Sequence, residues 1–294
     1  MNFEQNIEKL YAMMSKCELC PKRCGANRNK GQKGLCRTSD KILIASANVH
    51  TGEEPPISAE RGSGTIFFSN CTLNCVFCQN YPISQLGNGR EISVEELADT
   101  MLGLQDKGVH NINFVTPTHY SADVAKAVYL AKKKGLDIPV LSNTSGYERV
   151  ETLKLLEGLV DIYLPDIKYS DNELAFKYSG VKDYAEVNQA ALKEMKRQVG
   201  NLGFDADGVA KRGLLIRHMV LPENLENTRN ALKFIAEELS RETYVSLMSQ
   251  YHPANKSGEF KELSRNLTKQ EYDKALEYLH EFGLENGWTQ EIEE

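Results

Sequence analysis

The sequence has no cysteine after residue 78, although seven cysteines precede that point in a chain of 294 residues. It also has no apolar run close to the roughly 20 residues that a membrane helix needs. The acidic amino terminus lacks the apolar core of a signal peptide. We therefore expect a cytoplasmic protein. In that reducing compartment, clustered cysteines indicate metal ligands rather than disulfides.

Positive charge is also scarce, since the net charge is −6. A negative chain disfavours nucleic acid and anionic membranes as partners. The sequence has no low-complexity segment and no repeat of the length that solenoids show, which excludes repeat architectures. The apolar fraction of 41% is ordinary for a globular protein.

Three cysteines, Cys71, Cys75 and Cys78, follow the apolar run 65–68 with three and then two residues between them. This spacing lets three thiolates converge from one loop. A structural zinc site takes four protein ligands, and a ferredoxin-type 4Fe-4S cluster takes four cysteines. Three thiolates on a 4Fe-4S cluster leave one iron open to bind a small molecule. Inert buried cysteines rarely fall at this spacing.

The other four cysteines, Cys17, Cys20, Cys24 and Cys36, form a second group near the amino terminus. Four thiolates complete a tetrahedral zinc site or a four-cysteine iron centre. Zinc, rubredoxin-like iron, an auxiliary cluster and reduced cysteines all remain open here, because ligand softness does not separate zinc from iron. We predict a cysteine-rich metal-binding segment over residues 1–55. If the metal is zinc, its chelation should unfold this segment and leave the rest of the chain folded.

Apolar and amphipathic stretches alternate after residue 60. The predicted strands are 65–69, 111–116, 138–142, 160–164, 213–221 and 244–249. The predicted helices are 93–107, 121–134, 147–157, 171–178, 184–199, 225–240 and 268–282. The strands are continuous apolar runs, which is typical of parallel strands buried on both faces. The pattern predicts an α/β fold, namely an incomplete (β/α)6 TIM-type barrel over residues 56–294, or alternatively an open doubly wound sheet.

Polar residues occur at the end of every predicted strand, where parallel α/β folds carry their chemistry. They are Asn70 and Cys71, Thr118 and His119, Ser142 and Asn143, Asp166 and Lys168, Arg217 and His218, and Tyr251 and His252. One such residue would indicate only a loop. Six sets around a cysteine loop predict an active site.

The cysteine loop, Asp166-x-Lys168, Arg217 and Tyr251-His252 together resemble the radical S-adenosylmethionine (SAM) superfamily. Within it, the chain resembles the activating enzymes of glycyl radical enzymes, of which pyruvate formate-lyase activating enzyme is the type. The likeness runs from about residue 64 to residue 253. The amino-terminal cysteines resemble the Leu-Cys-Pro-x-x-Cys segment of uncharacterised activase-like radical proteins.

The resemblance implies that Cys71, Cys75 and Cys78 hold a 4Fe-4S cluster and that SAM chelates its open iron. One electron, from a flavodoxin- or ferredoxin-type donor, would cleave SAM to methionine and a 5′-deoxyadenosyl radical that abstracts a hydrogen. The enzyme would be an oxidoreductase acting on a glycine of a partner glycyl radical enzyme. Alternatives are radical modification of a small molecule or another protein side chain, and, outside catalysis, a zinc-rich binding module.

The resemblance also implies a set of SAM-binding residues. They are Phe77, Thr118, Asn143, Asp166, Lys168, Arg217 and His252. Lys168, Arg217 and His252 would neutralise the methionyl carboxylate. Asn143 would lie near the sugar and amino group, and Phe77 would pack on the adenine.

Simpler roles remain open for several of these residues. Asp166 and Lys168 could form a surface ion pair, His252 could be an ordinary loop histidine, and Phe77 could be a core aromatic. The Gly-Gly-Glu sequence usual in the family after the second strand is absent. Thr118 or His119 could replace its carboxylate, or His119 could be a solvated histidine.

Overall fold

The computed structural model describes residues 2–292, which contain one ten-stranded sheet. The strands are β1 Ile42–His50, β2 Ser63–Phe68, β3 Arg90–Ile92, β4 Ile112–Val115, β5 Val140–Thr144, β6 Ile162–Pro165, β7 Gly203–Phe204, β8 Ala210–Met219, β9 Tyr244–Met248 and β10 Gly287–Thr289. Strands β2, β4, β5, β6, β8 and β9 pair in that order, all in parallel. The sheet does not close on itself. The predicted α/β partial barrel is confirmed.

Helices connect the parallel strands and cover the outside of the sheet. They are α1 Phe3–Met13, α2 Pro55–Ser58, α3 Tyr81–Ser84, α4 Val94–Gln105, α5 Ser121–Lys133, α6 Val150–Leu156, α7 Asn172–Ser179, α8 Tyr184–Val199, α9 Leu225–Phe234 and α10 Lys269–Glu281. The helix predicted over 225–240 ends in a π-helical turn, Ile235–Leu239. Ser93 and Glu96 form the expected capping box, with reciprocal hydrogen bonds of 3.0 and 2.7 Å. No helix within residues 2–292 is long and apolar enough to span a membrane.

Additional strands extend both edges of the barrel. Strand β1 pairs antiparallel with β2 and β3, and β10 pairs in parallel with β9. The ring of Trp288 on β10 stacks on Tyr244 with the centroids 5.6 Å apart. The sequence pattern missed these strands because β1 becomes exposed towards its end and β3 and β10 have three residues each.

The amino-terminal residues share the barrel's core and sheet. Ile7 and Leu10 of α1 belong to the same buried cluster as Ala122 and Val128 of α5. Strand β1, within residues 1–55, pairs with β2 of the barrel. The predicted domain boundary at residue 55 therefore crosses a continuous core and a continuous sheet.

The chain between β1 and β2 closes one end of the barrel. His50 pairs with Ser63, so β1 ends where the parallel strands begin. The Asn111 side chain donates a 2.8 Å hydrogen bond to the carbonyl of Ile57 in α2. This turn places two successive glutamates, Glu53 and Glu54, inside the barrel.

Candidate active site

A cavity of about 510 Å³ occupies the barrel from the cysteine loop to Glu53 and Glu54. It is bounded by residues from the carboxyl ends of the parallel strands. Among the residues predicted from the sequence, its lining includes Cys71, Cys75, Phe77, Cys78, Asn143, Asp166, Lys168 and Arg217. Thr118 and His252 do not belong to this lining.

The backbone of the cysteine loop is held firmly. Asn70, at the end of β2, adopts a left-handed conformation with φ 71° that turns the chain towards the cavity. Its N–H donates to the carbonyl of Ile83 at 2.9 Å. The carbonyl of Cys75 accepts hydrogen bonds from Gln85 at 2.8 Å and Asn255 at 3.2 Å. The loop is therefore tied to residues on both sides of it.

The three thiols of the loop are close enough to influence one another's ionisation. Burial, followed by repulsion from the neighbouring Cys75, raises the pKa of Cys71 to about 12. The Ser179 hydroxyl donates to Cys75 Sγ at 3.0 Å, and Cys78 Sγ lies 3.2 Å from Ser84 Oγ. Buried thiols that repel one another as thiolates need a cation among them, which a metal centre supplies.

Two observations test whether the loop fits an iron–sulfur cluster. The Thr72 hydroxyl, inside the loop, is buried without a hydrogen-bond partner in the described structure and could donate to a cluster sulfide. Cysteine thiolates are also the donors that such a cluster takes, and three of them would leave one iron open. As the side chains stand, no group of three or more His, Cys, Asp or Glu residues among residues 2–292 has the geometry of a formed metal site. The donor set fits, and ligation itself stays a prediction.

Lys168 and Asp166 form an ion pair inside the cavity, with 2.7 Å between Nζ and Oδ2. Their side chains are 22% and 19% exposed, so they are not the solvated surface pair that the sequence left open. Burial alone would lower the pKa of Lys168, but attraction to Asp166 and then to Cys75 raises it overall. Lys168 is therefore a permanent positive charge beside the cysteine loop.

Arg217 is already bound by two carboxylates that sequence reasoning missed. Its Nε and Nη2 donate to the two oxygens of Glu54 at 2.7 and 2.6 Å, and Nη2 also donates to Glu53. Asn113 donates to the other Glu53 oxygen at 2.9 Å. Burial opposes the charge on Glu54, but Arg217 outweighs it and lowers its pKa overall. The signal in the sequence is the acidic pair directly before Pro55.

Phe77 and His252 occupy different environments. Phe77 lines the cavity and also makes edge-on contacts with Tyr169, Tyr178 and Tyr251, at centroid distances of 6.1–6.4 Å. It is thus both a core aromatic and a cavity residue. His252 is exposed, and its Nδ1 lies 3.0 Å from Gln79 Nε2. The chain leaves β9 towards the surface here, so His252 lies outside the cavity lining.

Thr118 and His119 lie away from the cavity, contrary to the suggestion that they replace a carboxylate there. The Thr118 hydroxyl donates to the buried Glu148. His119 Nε2 lies 2.9 Å from the carbonyl of Ser69, and burial lowers the pKa of His119 to about 3, so the ring is neutral. Thr116, with φ 61°, still lines the main cavity, whereas Pro117 and Thr118 line a separate small cavity with Glu148.

The amino-terminal cysteines also lie together. Burial, together with repulsion from the other three thiols of the group, raises the pKa of Cys20 to about 12. A Cβ on Gly34 would lie 3.0 Å from Cys24 Sγ and 3.6 Å from Cys36 Sγ, so the chain leaves space for sulfur there. The buried Nη2 of Arg28 has no hydrogen-bond partner among the described residues. These features fit a thiolate metal centre, whose existence and metal stay predictions.

Comparison with known proteins gives a family for this arrangement. Residues 65–235 match the family model described as the Radical SAM superfamily. An uncharacterized protein of Methanocaldococcus jannaschii is 32% identical over 293 residues, which cover 95% of this chain and 78% of that protein. The pyruvate formate-lyase-activating enzyme of Clostridium pasteurianum is 23% identical over 233 residues, covering 74% of this chain and 89% of that enzyme.

Solved structures show the same fold. Streptococcus suis SuiB bound to S-adenosylmethionine superimposes with a TM-score of 0.54 at 13% identity, covering 76% of this chain and 48% of SuiB. SuiB bound to its precursor peptide SuiA gives the same TM-score. The chain therefore spans about half the length of SuiB, and at this identity the likeness concerns the barrel alone.

Proposed function

The chain belongs to the radical SAM superfamily, and on that premise we propose that it abstracts a hydrogen from a glycine of a partner glycyl radical enzyme. Membership supports SAM cleavage by radical chemistry and implies a 4Fe-4S cluster. The observation that carries the proposal is that Cys71, Cys75, Cys78 and the Asp166–Lys168 pair line one cavity.

The bound cluster and SAM supply a one-electron cleavage of the sulfonium to methionine and a 5′-deoxyadenosyl radical. The side chains of this protein bind and orient. Lys168, charged and beside the cysteine loop, is the cation that we assign to the methionyl carboxylate. The Ser145 hydroxyl lines the cavity and is buried without a partner in the described structure, so it and Asn143 are assigned to polar groups of the ligand.

Arg217 receives a different role from the one that the resemblance implies. Glu53 and Glu54 already compensate its charge, so a third carboxylate would meet net repulsion. We assign Arg217 to holding the two glutamates in place at the inner end of the cavity. His252 lies outside the lining, and we assign it to the rim through Gln79.

The relatives support a protein or peptide as the hydrogen donor. One is called a pyruvate formate-lyase-activating enzyme, and SuiB has been solved with a precursor peptide bound. A second candidate function is radical modification of another protein side chain or a small molecule. The two glutamates against one arginine leave a net negative charge at the inner end of the cavity, which favours a donor with a positive group.

Anaerobic reconstitution tests the proposal. The iron-loaded protein, with dithionite and SAM, should form 5′-deoxyadenosine. The Cys75→Ala variant should form none, whereas Cys36→Ala, the matched control from the other group, should retain activity. No product from a wild-type protein that contains iron and sulfide would refute the proposal. Zinc without iron would instead indicate the binding module. A glycyl radical signal in an added partner separates glycine activation from the second candidate.

We further propose a second metal centre at Cys17, Cys20, Cys24 and Cys36. Mutual proximity of the thiols and the space at Gly34 support it. Metal analysis of the Cys75→Ala variant, which leaves this group intact, should find one structural zinc or iron centre per chain. Its absence in that variant would contradict the second centre.

A further inference from the structure

The segment 15–41, which contains the four amino-terminal cysteines, is strongly basic although the whole chain is acidic. It carries eight lysines and arginines against two acidic residues, while the chain as a whole has a net charge of −6. A local excess of positive charge on an otherwise negative protein gives this segment a distinct potential and steers oppositely charged partners to it. The rest of the surface repels the same partners.

Part of this charge is exposed and uncompensated. Arg23 lies 3.6 Å from Glu18, and Lys41 lies 2.9 Å from Glu91, so these two are paired. Lys16, Lys30 and Lys33 are exposed and form no ion pair with any residue from 2 to 292. Their charge therefore faces solvent, where it can contribute to the capture of a partner.

Apolar surface accompanies the charge. Leu35, one residue before Cys36, is 62% exposed, and Leu86, just after α3, is 67% exposed. Arg37 joins the two regions, because its Nη2 donates to the carbonyl of Ser84 at 2.7 Å. Exposed apolar side chains in a charged segment are typical of a protein–protein interface.

Through Arg37, the segment 15–41 directly adjoins the cysteine loop of the candidate active site. Arg37 Nη1 donates to Asn74 Oδ1 at 3.0 Å, between Cys71 and Cys75 in the sequence. Ser84, which accepts from Arg37 through its carbonyl, also places its hydroxyl 3.2 Å from Cys78 Sγ. The cavity lining within residues 2–292 includes no residue of the segment 15–41. A partner bound to this segment beside Arg37 would therefore lie next to the cysteine loop and leave the cavity free.

We propose that the exposed surface of the segment 15–41, with the neighbouring Leu86, binds an acidic one-electron carrier protein. The inference rests on the proposed function, which requires one electron for each SAM cleaved. The carrier is oxidised by one electron, the carbon–sulfur bond of the sulfonium breaks, and methionine and the radical form. The positive charge of this surface favours an acidic partner. Its contact with the cysteine loop favours a redox partner, whereas a substrate would have to enter the cavity instead.

Charge reversal tests this surface. The cluster-loaded full chain is titrated anaerobically with a reduced acidic flavodoxin as the probe, at low and high salt. Lys30→Glu with Lys33→Glu should weaken binding at least about tenfold at low salt and remove most of its salt dependence. Lys107→Glu with Lys233→Glu, which reverses the same charge at exposed positions in the turn after α4 and in α9, should change binding less than about twofold.

Two further measurements distinguish failure of this inference from failure of the proposed function. With dithionite in place of the flavodoxin, both double variants should form 5′-deoxyadenosine as the native protein does, and both should keep its metal content. If the native protein forms no 5′-deoxyadenosine with dithionite, the proposed function is refuted. The flavodoxin titration would still test whether this surface binds the carrier. Equal flavodoxin binding by the two variants would overturn the inference, as would displacement of the flavodoxin by an equal charge of polyuridylate RNA.

Discussion

Arg217 and Glu54, 163 residues apart, meet inside the barrel through two parallel hydrogen bonds of 2.7 and 2.6 Å. The contact ties the turn after β1 to strand β8. Both side chains are largely shielded from solvent, at 15% and 6% exposure. Removing one partner would leave the other charge buried, which is costly, whereas the intact pair itself adds little stability.

Arg217→Met should accordingly destabilise the fold by about 3–5 kcal/mol, because it leaves two buried carboxylates without a cation. Lys274→Met is the matched control, since it removes an exposed ion pair with Glu277 of 2.6 Å and should leave the unfolding free energy nearly unchanged. Urea denaturation of the purified apo-protein measures both. Similar losses in the two variants would show that the buried pair is not formed.

Glu148 should make stability depend on pH. Burial raises its pKa from 4.5 to about 7, so the folded protein binds a proton that the unfolded chain releases between those values. Stability should fall as the pH rises from 4.5 to about 7 and stay lower above it, by about 3 kcal/mol. Glu148→Gln keeps an acceptor for Thr118 and should lose this dependence. The unfolding free energies of both proteins at pH 5 and pH 8 test this prediction. An equal change of unfolding free energy with pH in the native protein and in Glu148→Gln would contradict the assignment of the dependence to Glu148.

The features that were predictable from the sequence depend on neighbouring residues. The six parallel strands are continuous apolar runs, and the Ser93 capping box is contained within four residues. The cysteine loop and the Asp166–Lys168 pair are likewise local, so their spacing alone brings them into the cavity.

The features that were missed depend on contacts between distant parts of the chain. Nothing near Glu53 and Glu54 indicates that their partner lies on β8, because that contact needs β1 to run antiparallel to the barrel. Thr118 follows its strand as predicted, yet one left-handed residue, Thr116, turns it towards Glu148. A single backbone angle of this kind is not encoded in a hydrophobic pattern.

Metal removal from the amino-terminal cysteines should affect the whole fold. Thr152 and Arg149 donate to the carbonyls of Leu19 and Glu18 at 2.7 Å each, which fixes the Cys17–Cys20 turn to α6. We therefore expect chelation to lower the single melting temperature of the chain instead of unfolding the segment alone, as the sequence suggested. Differential scanning calorimetry of the Cys75→Ala protein, with and without chelator, measures this. A separate low-temperature transition would support an independent segment.

Lys168→Ala should weaken SAM binding by about ten- to a hundredfold, since a charge-assisted hydrogen bond contributes about 1.5–3 kcal/mol. The loss has a second cause, because Asp166, now without its partner at 2.7 Å, would repel the methionyl carboxylate. Asp166→Asn with Lys168→Ala should therefore recover part of the affinity. Asn143→Ala, which removes a neutral hydrogen bond from the same cavity, should cost less than about tenfold. Titration of SAM into protein of matched iron content measures all three, and native affinity in Lys168→Ala would mean that another cation holds the carboxylate.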